Sequence, residues 1–423
     1  MPWEATDFSL ADFAVSDADR ILDPPSDFMG WQEQGAWARQ LYEPHFTGPA
    51  TPRTALLEAG RAKPILNFAS YNYLGLTRHP AVIAAARDAL ARYGTGVCGP
   101  PMLSGQTEIH LQLSERVSRF LKRDSTLLFT SGYGGGVGAV AGVARRGDAV
   151  VVDEKCHMSV VDGAKLAQAR IREFRHNDPQ SLDRVLTEVG ARRTLVVVEG
   201  VYSMDGDIAD LPAILDVAEH HRAGVLIDEA HSMLTCGPTG AGVSEAQGVQ
   251  HRIGLLFSSF SKAFGGLGGF VSGALPTMTY LRHYSNPYLF SAGMPAVVAA
   301  GLVAALEVAM GDPAPRARLW DNANYLRKSL QGLGLDTGAS QSYIIPVIVG
   351  ADRRLLFEAC RDLRHRGLFV PPVDYPVVAA DQLRFRMAVG ALHTRQDLDE
   401  ALTILEDVLV PRLKAQGRLR SCS

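Results

Sequence analysis

From about residue 125 to residue 275, short unbroken apolar runs alternate with stretches whose apolar residues recur three to four positions apart. The runs are TLLFT, AVVVD, TLVVVEG, GVLID, IGLLFSS and GGFVSGA. They are rich in Val, Ile and Leu and lack polar alternation, so they read as strands buried on both faces. Strands alternating with helices predict a mostly parallel sheet covered by helices on both sides. Ligands bind such a sheet at the carboxyl ends of its strands. Ser131, Asp153, Glu199, Asp228 and Ser258 all fall at or beside such ends.

Outside this region the pattern changes. The core is expected to start at PILNFASYNYLGL (64–76), followed by a helix over PAVIAAARDALARYG, with Pro80 in its first turn and Gly94 as its stop. Before it lie acidic residues, prolines and aromatics, including Trp31, Trp37, Tyr42 and Phe46, with one short helix expected around WQEQGAWARQLY. After a long helix over 294–310 come YIIPVIVG (343–350), a helix near 353–366, GLFVPPV (367–373), QLRFRMAV (382–389) and a closing helix QDLDEALTILEDVLVPRLKAQ. These predict a smaller α/β domain. The expected division is an N-terminal extension over 1–63, a large domain over 64–310 and a small C-terminal domain over 311–423.

Composition narrows the field modestly. A chain of 423 residues is long enough for more than one domain. A net charge of −3 gives no argument for binding nucleic acid or anionic membranes. No apolar run is long enough to span a bilayer, and MPWEATDFSLADF lacks the basic-then-apolar layout of a signal peptide. Five cysteines without a CxxC pair read as reduced thiols, not a disulfide frame or zinc site. The expectation is a cytoplasmic protein without a metal.

The chemistry concentrates in SSFSKAFGG (258–266) and LIDEAHS (226–232). Lysines are rarely buried without a partner, so Lys262, just past an apolar run, needs explaining. Asp228 closes another apolar run, with His231 three positions on. A cofactor carrying an aldehyde, a phosphate and a pyridine nitrogen needs this set. The lysine amine forms a Schiff base with the aldehyde, and the aspartate pairs with the pyridinium nitrogen. That cofactor is pyridoxal 5'-phosphate (PLP). SGYGGG (131–136), between a strand and a helix, offers free amides for its phosphate. His157 is a cap or a ring to stack on the pyridine, and Ser203 lies in a loop that also reads as a plain turn. Arg384 and Arg386, two apart on an expected strand, point the same way. One of them is suited to hold a substrate carboxylate; Arg384 reads as a surface arginine of an edge strand.

A rival reading uses the same glycines. GGGVGA (134–139) matches GxGxxG/A, with Asp153 about where a ribose-binding acid would stand. That predicts a nicotinamide cofactor and leaves the lysine segment without a role.

Taken together, NFASYNYLGL, LSGQTEIHLQLSE, FTSGY, EKCHMS, EGVYSMDGD, IDEAHS, SSFSKAFGG and RFRMAVGALHT resemble the alpha-oxoamine synthases, a branch of the fold-type I PLP-dependent transferases, over about residues 64–410. The resemblance implies a homodimer with active sites at the subunit interface. It makes Lys262 the Schiff-base lysine and base, and Asp228 the partner of the pyridine nitrogen. His157 would be the stacked ring, with His231 and Ser203 near the phenolic oxygen. Ser131, Gly132, Tyr133 and Ser259 would lie around the phosphate, and Arg386 would hold the substrate carboxylate. Tyr71 and Asn72 would lie on the substrate side. The implied reaction joins an amino acid to an acyl thioester, on CoA or an acyl carrier protein, with decarboxylation to an alpha-amino ketone. The alternatives are an aminotransferase or aldolase of the same fold, or a non-catalytic partner subunit. The chain departs from the family at CGPPM (98–102), Gly136, Leu234, Ala292, Gly293 and Tyr71. These departures bear on substrate identity more than on the cofactor.

Overall fold

A computed structural model of the chain describes residues 8–15, 17–34, 41–58, 60–191 and 193–419. Contacts divide them into two units. The larger comprises 71–203 and 207–319; the smaller gathers the described residues of 1–70 with 204–206 and 320–423.

The first strands belong to the smaller unit. β1 (Arg53–Glu58) and β2 (Arg61–Asn67) pair antiparallel. The larger unit is built on seven strands: β3 (Ser125–Phe129), β4 (Ala149–Asp153), β5 (Arg170–Phe174), β6 (Thr194–Glu199), β7 (Gly224–Asp228), β8 (Leu255–Ser259) and β9 (Gly269–Gly273). Their order is β3-β9-β8-β7-β6-β4-β5. β9 runs antiparallel to both neighbours, and the other pairings are parallel. The apolar runs explain the middle of this sheet: Val150, Val197, Leu226 and Val271 are fully buried among Phe129, Val140, Phe257 and Leu281.

All six strands read from apolar runs are present. β5 was missed because it is an edge strand, exposed over most of its length, and its RIREF sequence carries little apolar signal. The helix Pro80–Tyr93 begins and ends where Pro80 and Gly94 place it. It packs on the helix Ala296–Gly311, whose Ala- and Gly-rich surface permits close approach.

In the smaller unit, β10 (Ile344–Gly350), β12 (Pro372–Val373) and β13 (Leu383–Ala388) form a second sheet in the order β10-β13-β12, while β11 (Leu368–Phe369) joins β2 in parallel. The closing helix Arg395–Ala415 starts at a Thr394 capping box. Arg53 of β1 reaches its first turn through Asp397 at 2.7 Å. The N-terminal helix spans Phe28–Gln34; the remainder of the helix expected over WQEQGAWARQLY, Trp37 included, lies largely outside the described residues. No single helix among the described residues is long and apolar enough to cross a membrane.

Candidate active site

Parallel strands end together, so the residues that close β6, β7 and β8 are neighbours. Glu199 and Asp228 are register partners on β6 and β7. Both carboxylates are buried. Burial pushes Asp228 up, against the pull of the Lys262 ammonium and the Ala230 N–H, which donates to Oδ1 at 2.8 Å. Burial, and then the charge of Asp228, pushes Glu199 well above the usual carboxylate range. The Ser203 N–H donates to Glu199 Oε2 at 3.2 Å, which ties the following loop to the strand end. Lys262 lies in the turn after β8. Burial lowers its pKa, and Asp228 and Glu199 resist the change. A lysine less basic than usual is both a nucleophilic amine and a proton acceptor.

The helix Gly132–Val143 starts beside this group. Ser131 caps it, its Oγ accepting from the Gly134 N–H at 2.9 Å. A Cβ at Gly132 would stand 2.6 Å from Ser259 Oγ, so only glycine lets the helix start come this close to β8. Ser259 Oγ in turn pairs with Ser261 Oγ at 2.7 Å. A helix N-terminus converging with two hydroxyls offers the donors a phosphate cradle needs, and the residues fit PLP. The Tyr133 hydroxyl is turned to Asp162 at 2.5 Å, which leaves only its amide to face a phosphate. Ser261 was not singled out in the sequence; the Ser-x-Ser spacing in SSFSK was the available signal.

His157 caps the helix Met158–Leu166 through Nδ1, which accepts from the Ser159 N–H at 3.2 Å and pairs with Ser159 Oγ at 2.9 Å. The cap fixes the ring while the side chain stays exposed, so capping and stacking are compatible. His231 is buried, with its Nδ1 2.9 Å from the Tyr73 hydroxyl and the Tyr71 ring edge-on at 5.4 Å. Burial, with Lys262 and His157 nearby, pushes His231 well below the usual histidine range. Asn72 bonds Thr77 Oγ1 at 2.8 Å and shapes its own loop.

Arg386 lies on β13 in the smaller unit, unlike every other candidate. Its Nη1 is 3.5 Å from the Met204 sulfur, and burial lowers its pKa to about 10. The reading of Arg384 as a surface residue on an edge strand is overturned. β13 is the central strand of its sheet, and Arg384 is buried against Asp205 at 2.8 Å and the Met204 carbonyl at 3.2 Å. Both arginines do share a face.

The nicotinamide reading fails on geometry. Cβ atoms at Gly135 and Gly136 would strike Phe257 at 2.8 Å and Ser159 at 2.4 Å, so these glycines serve helix packing. Asp153 is buried and bonded to His176, Tyr202 and the Asn177 N–H, each at 2.8–2.9 Å. It does not face a ligand.

A partly buried lysine beside two buried carboxylates, a helix-capping histidine and a set of phosphate-binding donors at the carboxyl edge of this sheet define a class: the fold-type I PLP enzymes. Known proteins agree. The family described as aminotransferase class I and II matches residues 63–405. 4-Hydroxy-2,2'-bipyrrole-5-methanol synthase PigH of Serratia sp. (strain ATCC 39006) is 39% identical over 377 residues, 87% of this chain but 57% of that protein. The 8-amino-7-oxononanoate synthase of Thermoanaerobacter pseudethanolicus is 36% identical over 85% of this chain and 90% of its own length. A high-resolution structure of SPT (serine palmitoyltransferase) with PLP superposes at a TM-score of 0.87, with 31% identity, over 93% of this chain and 98% of that one. The chain belongs to the aminotransferase class I and II family and, within it, to the PLP-dependent alpha-oxoamine synthases.

Proposed function

We propose that this chain condenses an amino acid with an acyl thioester, expelling the thiol and losing carbon dioxide to give an alpha-amino ketone. The observation that carries the reading is Lys262, lowered in basicity by burial, beside Asp228 and Glu199 at adjoining strand ends. When bound, PLP supplies the electron sink that acidifies the alpha carbon of an amine.

The protein's own groups orient the reactants and place protons. Asp228, held by the Ala230 N–H, would pair with the pyridine nitrogen. The amides of Gly132 and Tyr133, with the hydroxyl of Ser259, would hold the phosphate, and Ser131 fixes the helix start that presents them. His157 would cover one ring face, and His231 and Ser203 would lie at the phenolic oxygen. Lys262 takes the alpha proton and returns it. Arg386 would grip the amino-acid carboxylate through two parallel N–H donors, with Tyr71 and Asn72 on the substrate side. The working form is a homodimer, and the thioester is carried on CoA or an acyl carrier protein.

Thiol release tests the reaction. Purified protein with PLP is offered each amino acid in turn with an acyl-CoA or an acylated carrier protein. The expected result is thiol release that requires one amine and one thioester and matches the carbon dioxide formed. Accumulation of pyridoxamine phosphate or an aldehyde instead would indicate aminotransfer or aldol cleavage. If the N-terminal segment docks a carrier protein, removing residues 1–40 slows the carrier-bound substrate more than its CoA analogue; equal slowing would count against docking. The cut stops at 40 because the Leu41 carbonyl accepts from Arg364 at 2.7 Å.

A further inference from the structure

The segment SYNYLG contributes a residue to which the proposed chemistry gives no role. Tyr73 is completely buried, and its hydroxyl lies 2.9 Å from His231 Nδ1. Two residues earlier, the Tyr71 ring meets His231 edge-on, with planes at 84°. The alternation of the segment thus sets two tyrosines on one imidazole, one at a nitrogen and one with its ring perpendicular to the imidazole.

The direction of that hydrogen bond follows from the two groups. Burial keeps the Tyr73 phenol protonated and pushes His231 down, Lys262 and His157 opposing its charge further. His231 is therefore neutral, with one nitrogen a donor and the other an acceptor. A phenol is the better donor and an imidazole nitrogen the better acceptor, so the favoured arrangement is O–H donating to Nδ1. The proton of His231 then resides on Nε2.

We propose that Tyr73 is a positioning residue that holds His231 as its Nε2–H tautomer, so that a neutral histidine presents a hydrogen-bond donor to an anionic oxygen. Given the reading that His231 faces the cofactor, that oxygen is the phenolate of PLP. A neutral donor stabilises the oxyanion without adding a second cation beside Lys262. Moving the proton to Nδ1 would force the tyrosine bond to reverse, with the hydroxyl accepting in place of donating. Tyr71 keeps the ring plane fixed while Tyr73 selects the nitrogen.

Proton–nitrogen correlation spectra of protein isotope-labelled at the histidine nitrogens read the tautomer directly, before any cofactor is added, with His231 assigned by loss of its signals in His231→Gln. The expected wild-type spectrum shows His231 neutral, Nε2 protonated and Nδ1 an acceptor. In Tyr73→Phe the His231 signals move toward a mixture of tautomers, and the PLP dissociation constant rises roughly three- to tenfold, the cost of one hydrogen bond. A wild-type Nδ1–H tautomer, or His231 signals unchanged in Tyr73→Phe, would overturn the proposal. Should Tyr73→Phe not fold, the wild-type spectrum alone decides. Failure of wild-type protein to bind PLP would instead sink the cofactor reading, leaving the tautomer assignment to stand or fall by the spectrum.

Discussion

At the scale of single residues, the close approach of Gly132 to Ser259 makes a sharp demand. Gly132→Ala would put a methyl group 2.6 Å from Ser259 Oγ. We expect the fold to survive and the PLP dissociation constant to rise about tenfold, because the helix start must withdraw from the phosphate. Equilibrium titration with PLP checks this; an unchanged constant would show that the amide of residue 132 is not at the phosphate. Lys262 and Asp228 stand out in the sequence because one follows an apolar run and the other closes one, and both are buried. Tyr73 was not legible: a tyrosine in an aromatic segment looks like core, and it is core. Its hydroxyl acquires meaning only from His231, 158 positions away. Arg384 was misread because a two-residue spacing fixes the shared face of a strand but not whether the strand is central or at an edge.

Elements bring distant departures together. Two of the segments that hold departures, CGPPM and the stretch with Ala292 and Gly293, meet in one feature. The Pro100 carbonyl accepts from the N–H groups of Leu103, Ser104 and Gly105, and the Gly293 N–H donates to the Gly99 carbonyl at 2.8 Å. A Cβ on Gly293 would stand 2.0 Å from the Gly105 oxygen. Gly293→Ser should therefore destabilise the protein, by about 1–3 kcal/mol for an overpacked site. A denaturant midpoint at or above wild type would contradict this.

A second element-scale feature is the loop after β6, anchored by His176, whose Nδ1 is 2.9 Å from Asp153 and whose Nε2 is 2.7 Å from Asp207. Burial lowers the pKa of this histidine, but the hydrogen bonds and charges of the two aspartates outweigh it and raise the value to about 9. The folded state thus holds the proton more tightly than the unfolded chain, where the pKa is about 6.5. The resulting stabilisation is complete below about pH 6.5, is lost as pH rises through about 9, and amounts to no more than ~3 kcal/mol. The Tm of wild type should fall across this window more than that of His176→Gln; parallel falls would remove His176 as the cause.

For the whole molecule, six of the seven strands of the large sheet are legible because strands buried on both faces announce themselves as apolar runs. What sequence order hid is chain traffic between units. Residues 204–206 interrupt the larger unit and belong to the smaller one. There the carbonyl of Gly206 accepts from the N–H groups of Gln341 and Ser342, both at 3.0 Å. Gly206 has φ 70°, and a Cβ on it would stand 1.9 Å from the Ile344 oxygen. Gly206→Ala should cost about 2 kcal/mol or more, the sum of left-handed strain and the clash, measurable by denaturant unfolding. A three-residue excursion has no hydrophobic period, so only its glycine hinted at it. The N-terminal strands are likewise part of the smaller unit, pinned by Arg53 to Asp397 and Glu400, although in sequence they read as an extension.

At the centre of the proposed function is Lys262, which would capture PLP and move the substrate's alpha proton. The visible absorbance of wild type and Lys262→Ala, each incubated with PLP and then titrated with single amino acids, tests it most directly. We expect wild type to bind PLP with a visible band that shifts for a small set of amino acids. Lys262→Ala should lose the wild-type resting band and at least about a thousandfold in alpha-proton exchange. A wild-type protein that stays colourless with PLP, or a Lys262→Ala variant with the wild-type spectrum and exchange rate, would contradict it.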